Sequence, residues 1–133
     1  MLLIKTLATI VLVVFFVSCN HQLPELNTSY AGSWRCIEER SLASKQIYVV
    51  RIDYVNNDSN TLLIRNVFNA GQNQFIVMRK VAANEFELLE QPGNGEIIRS
   101  LTGMAVPYRS ISFNFIVFDG EKDTACNLTL TRD

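Results

Sequence analysis

The sequence predicts an all-β protein: a single eight-stranded antiparallel up-and-down barrel behind a short N-terminal leader and tether. Three observations carry that expectation. From Gly32 onward apolar residues recur with the two-residue period of a half-buried strand rather than the helical period. Clusters of Asn, Gly, Ser, Asp and Pro interrupt the alternation at short, regular intervals, as hairpin turns require. No stretch of the body offers a convincing amphipathic helix.

Taken in order, the predicted strands are 32–40, 45–55, 61–68, 74–81, 85–90, 96–104, 109–118 and 122–132. In the first, Trp34, Cys36 and Glu38 share a face. In the second, "IYVVRIDY", Tyr48, Val50, Ile52 and Tyr54 face one way and Val49, Arg51 and Asp53 the other. Asn56-Asn57-Asp58-Ser59 then turns the chain into the third strand, where Ile64 is assigned inward. The fourth, "QFIVMRKV", is apolar on both sides; the alternation assigns Phe75 and Val77 to the interior and leaves Ile76 and Met78 as an outward patch. Phe86 and Leu88 point inward from the fifth, which ends at the turn Pro92-Gly93-Asn94-Gly95. The sixth alternates poorly around Ile98, and Gly103 is assigned to a bulge. The seventh, "ISFNFIVF", places Ile111, Phe113, Phe115 and Val117 opposite Ser112 and Asn114. The eighth brings Leu128, Leu130 and Arg132 inward. β-Branched and aromatic residues fill these runs, as pleated, half-buried surfaces prefer. A meander of this length closes on itself and so removes exposed edges.

The chain has 133 residues, room for one domain. Its 12 basic and 13 acidic residues are dispersed, so no basic block exists to neutralise a phosphate backbone, and nucleic acid is excluded as the expected partner. Ahead of the body, Lys5 is followed by an apolar run from Leu7 to Val17, shorter than the ~18 residues of a membrane-spanning helix and closed by Ser18. A positive start, an apolar middle and a small residue at the cut are the layout of a secretory signal peptide. The expected division is 1–18 signal peptide, 19–31 tether and 32–133 barrel.

Val17-Ser18-Cys19 resembles the lipobox of bacterial lipoproteins, with Phe16 where that family prefers Leu. The resemblance implies lipidation of Cys19 and cleavage before it. Two or three acyl chains would hold the protein stably at a membrane, where one chain binds only marginally. Asn20 in place of Asp points to the outer membrane. Gly32-Ser33-Trp34 resembles the G-x-W opening of lipocalins, in which the tryptophan covers the closed end of the barrel under a late arginine; Arg132 occupies the matching place. With "IRNVFNAG" (64–71) and "FNFIVFD" (113–119), the body resembles the small lipocalin-like lipoproteins of Bacteroidetes. It departs from true lipocalins in being shorter and in lacking a helix before the last strand.

Cys36 and Cys126 lie in the first and last strands, neighbours in a closed meander, and export implies a compartment where a disulfide persists. A bridge between them is the favoured expectation, with two buried free thiols as the alternative. The only histidine, His21, lies beside the anchor, so no Ser–His or Cys–His nucleophilic pair is available to the body. Nothing has zinc spacing, and Asn56-Asn57-Asp58 reads as a turn rather than a calcium loop. No catalytic, metal or cofactor site is expected, and the protein is read as a non-enzyme. The candidate ligand contacts are Trp34, Glu38, Tyr48, Val50, Phe75, Phe86, Phe113, Phe115 and Arg132. They define the functional fork: a membrane-anchored barrel that binds a small apolar molecule or lipid, or a packed barrel that works on protein partners, as an envelope inhibitor or an accessory subunit does.

Overall fold

The computed structural model describes residues 29–132; the expected signal peptide, Cys19 and most of the expected tether lie outside them. Eight strands follow one another: β1 (Gly32–Arg40), β2 (Gln46–Val55), β3 (Asp58–Arg65), β4 (Phe75–Ala82), β5 (Glu85–Glu90), β6 (Ile97–Val106), β7 (Ser110–Phe118) and β8 (Asp123–Thr131). A single 3-10 turn, Val67–Asn69, stands between β3 and β4. The strands form one antiparallel sheet in the order β5-β4-β3-β2-β1-β8-β7-β6, curled into a nearly closed barrel. The first and last strands are joined by a full ladder, as expected.

The hairpins follow their turn residues. Asn56 and Asn57, at φ 53° and 58°, make the two-residue turn whose twist matches that of the flanking strands. Asp58 locks it by accepting from the Asn60 amide and the Thr61 hydroxyl, the bonds of a turn. Asp119 does the same at the β7–β8 turn, accepting from the amides of Glu121 and Lys122.

The discontinuity lies between β5 and β6, which share no ladder. The gap is pinned at both ends. At one, the side-chain amide of Gln91 imitates a strand's peptide group: it donates to the Ile98 carbonyl at 2.9 Å and accepts from the Ile98 amide at 2.8 Å. At the other, the Ala105 amide donates to the Ala83 carbonyl at 3.0 Å. β5 has only six residues, and β4 and β6 both carry irregularities, so the two edges cannot run in step.

Three expectations about register are corrected. Ile76 and Met78 are fully buried, not an outward patch, while Phe75 is half-buried beneath Arg65 on the outer wall. Val77 is covered but stands outside the core cluster. The cause is β3: Leu62 and Ile64 face the core, they pair with Met78 and Ile76, and residues directly opposite in a ladder share a face. The β6 bulge falls at Arg99, between Ile98 and Ser100, rather than at Gly103. Lastly, Cys36 pairs with Leu130 and Cys126 with Arg40, and both cysteines are free. A four-residue offset is about 13 Å of strand at ~3.3 Å per residue, beyond a disulfide's reach. Because the offset is even, both thiols still face inward. The expected Trp34–Arg132 contact and the expected Cys36–Cys126 bridge require registers four residues apart, and the former is the one realised.

Candidate functional site

The barrel has two differently built ends and a column of rings between them. The connections β2–β3, β4–β5 and β6–β7 gather at the end that begins β1, which holds Trp34. The four remaining connections gather at the opposite end, which holds Arg40.

At the Trp34 end, the indole nitrogen donates to the Tyr30 carbonyl at 2.8 Å, and the Tyr30 amide donates to the Tyr54 hydroxyl at 2.6 Å. The Arg132 guanidinium lies 4.1 Å above the indole ring and donates to the carbonyls of Ser29 and Ala31. Tyr30 lies in turn against Tyr108, the rings tilted and their centres 4.8 Å apart. This closes the end with aromatic surface on the inside and a charge on the outside.

The column starts at Phe86, which meets Phe113 edge-on at 5.1 Å; Phe113 stacks on Phe115 at 5.7 Å, and Phe115 meets Phe68 edge-on at 5.8 Å. These separations are those of aromatic rings in direct contact. Gly103 faces this column, and a Cβ added there would stand 2.7 Å from Phe86 and 3.0 Å from Phe113.

At the Arg40 end, Glu38 is 3 % exposed, and Tyr48 donates to its Oε1 at 3.2 Å. Arg40 lies 3.6 Å from Glu38 Oε2 and grips Glu96 with two parallel hydrogen bonds of 3.0 and 3.1 Å. Its guanidinium also sits 4.8 Å over the ring of Phe68, which plugs the barrel here. Buried charge is tolerable only when so paired. Burial pushes the Cys36 thiol up to about 11 and the Cys126 thiol up to about 12, and the Glu38 charge adds to both. Tyr48 is raised as well, first by burial and then by Cys36 and Glu38.

Comparison of the chain with protein-family models, with curated proteins and with solved structures returned no match in any of the three.

Of the residues singled out in the sequence, Trp34 and Arg132 meet at one end, Phe86, Phe113 and Phe115 form the column, and Glu38 and Tyr48 meet near the other end. Val50 lies in the core cluster. Phe75 belongs to none of these groups. Among the described residues no three His, Cys, Asp or Glu side chains converge as a metal would need. Sequence reasoning missed Tyr30, Arg40, Phe68, Gln91 and Glu96. Only Phe68 had a visible signal, the asparagines of "NVFNAG", which permit left-handed backbone.

The thiols make a pH prediction. Between the ordinary thiol value near 9.0 and the folded values of about 11 and about 12, the unfolded chain loses these protons and the folded chain keeps them. Their contribution is therefore fully present below about pH 9 and is lost as pH rises through the folded values. The urea midpoint is expected to fall between pH 8 and pH 10.5, and to fall less in a Cys36→Ala/Cys126→Ala variant. Equal falls in the two proteins would refute the assignment.

Proposed function

We propose that this chain is a lipid-anchored, non-enzymatic protein of the bacterial outer membrane whose barrel is a solid scaffold, and that it works by binding a protein partner on its outer wall. The observation that carries this reading is the unbroken contact of rings from Phe86 to Phe68, with no room for even a methyl group at Gly103. An eight-stranded barrel is about wide enough for its own side chains. The expected lipidation of Cys19 supplies the address.

Both halves of the outer wall carry ion pairs, but on β6–β8 the pair, Arg99–Asp123, stands near the strand ends. On β2–β5, Asp53 pairs with Arg51 and Arg65, and Arg79 pairs with Glu87. On β6–β8 the rows Thr102–Asn114–Asn127 and Met104–Ser112–Thr129 carry no charge. Depletion of charge at the centre of a patch is the compositional mark of protein interfaces. Photo-crosslinking side chains placed at Ser112 and Asn114 in the intact envelope are expected to capture a discrete protein that the same group at Glu87 does not. Native mass spectrometry of the full-length protein is expected to find no apolar molecule retained inside the barrel. A stoichiometric apolar molecule, with no difference between the crosslinking positions, would overturn the reading.

The lipocalin-like alternative, an apolar ligand inside the barrel, draws support from one feature: the β5–β6 gap, where only side-chain and turn contacts hold the wall and where an apolar molecule has a route toward Phe86.

A further inference from the structure

The Arg40 end carries a feature that goes beyond the outer-wall reading, which uses only the Phe68–Phe115 contact there. Arg40 is engaged by two groups from two separate loops: the Glu96 carboxylate fills its fork at 3.0 and 3.1 Å, and the Phe68 ring lies 4.8 Å beneath its face. Together they present to one guanidinium an apolar ring and a bidentate carboxylate. We infer that this mouth is a binding site for a small aryl or alkyl carboxylate, and that Phe68 and Glu96 occupy it as internal stand-ins.

Three observations support an exchangeable occupant. First, Phe68 holds its place at a backbone cost: its φ is 57°, with Asn66 at 61° and Asn69 at 54° beside it. Asparagine tolerates this region, whereas a bulky aromatic side chain there is an outlier that persists only while its surroundings hold it. Second, the base of the loop is fastened independently of its tip. Asn66 donates from its side-chain amide to the Val49 carbonyl and accepts from the Gly71 amide, each at 2.8 Å, and its backbone amide donates to Gln74. The turn that carries Phe68 is closed by only two bonds of its own, from the Asn69 amide to the Asn66 carbonyl and from the Ala70 amide to the Val67 carbonyl, so opening it leaves β3 fastened to β4. Third, the receiving cation is held by a second group. Glu38, itself held by Tyr48, stands 3.6 Å from the Arg40 Nε and leaves the two terminal nitrogens to the Glu96 carboxylate. A ligand that replaced both stand-ins would keep the charge at Arg40 unchanged and relieve the strain at Phe68. The rings below Phe68 need not move, so a solid core and an occupied mouth are compatible.

The probe is 3-phenylpropionate, with 3-phenylpropan-1-ol as its uncharged counterpart, titrated into the full-length protein in detergent. Fluorescence of Trp34, at the opposite end, verifies the fold of each variant. The wild type is expected to bind the acid weakly and not the alcohol. Glu96→Ala and Phe68→Ala each remove an internal competitor and are expected to tighten binding about tenfold. Arg40→Gln is expected to abolish it, and Arg40→Lys, which keeps the charge but loses the fork, to weaken it. Failure of both Glu96→Ala and Phe68→Ala to tighten binding, equal binding of acid and alcohol, or undiminished binding by folded Arg40→Gln would each overturn the inference.

Discussion

Replacing Trp34 with alanine is expected to destabilise the barrel by about 3–5 kcal/mol. Three losses coincide. The indole fills the end of the barrel and is almost wholly buried. Its nitrogen satisfies the Tyr30 carbonyl, which would be left as a buried acceptor. Its ring is the platform on which Arg132 rests, and Arg132 in turn fastens the chain at Ser29 and Ala31 to the end of β8. Against a total stability of roughly 5–15 kcal/mol for a domain of this kind, such a loss is a large share. Trp34 is the single tryptophan, so urea unfolding of the variant must be followed by far-UV circular dichroism. Arg132→Met, which keeps the ring and its hydrogen bond, is expected to cost clearly less, about 1–2 kcal/mol. A Trp34→Ala loss no larger than that of Arg132→Met would mean that this end is held by something other than the indole.

Most of this end was legible in the sequence, because Gly32-Ser33-Trp34 and Arg132 carry their own signal. So was the strand order, since turn residues announce each hairpin and alternation announces each face. Two of the predicted strands, 32–40 and 85–90, match the observed bounds. What alternation cannot fix is which face is inner when both are apolar. β4 is such a strand, and only its pairing with Leu62 and Ile64 decides that Ile76 and Met78 go in. Nor does a pattern of period two fix register, since any even slip preserves it. That is why Cys36 and Cys126 could be placed on the right strands and the right face yet not opposite each other. At the Arg40 end only Glu38 and Tyr48 were legible, as inward-facing residues of neighbouring strands. Arg40, Phe68 and Glu96 come from three distant parts of the chain, and only Phe68 sits in a recognisable pattern; their meeting is a product of closure.

The expectation that separates a solid barrel from a hollow one rests on Gly103→Ala. In a strand, exchanging glycine for alanine ordinarily stabilises by roughly 0.5–1 kcal/mol, because the unfolded chain loses freedom. Nothing in the backbone opposes the exchange here, since the φ of Gly103 lies outside the left-handed region. The obstacle is the two rings, 2.7 and 3.0 Å from the new methyl. If the interior is filled, Phe86 and Phe113 have nowhere to retreat: Phe113 is already stacked on Phe115, and Phe115 is held against Phe68. The variant is then expected to lose about 1–3 kcal/mol, the usual cost of overpacking. Phe86→Leu, made in the same chain, is expected to return a good part of that loss by removing the nearer ring, although alone it destabilises. This non-additivity is the signature of two groups competing for one space. If instead the barrel holds a cavity, the rings swing into it, Gly103→Ala is neutral or stabilising, and the two substitutions add independently. Urea unfolding of the four proteins distinguishes these outcomes without any knowledge of a ligand or a partner. An additive result would move the function from the outer wall to the interior.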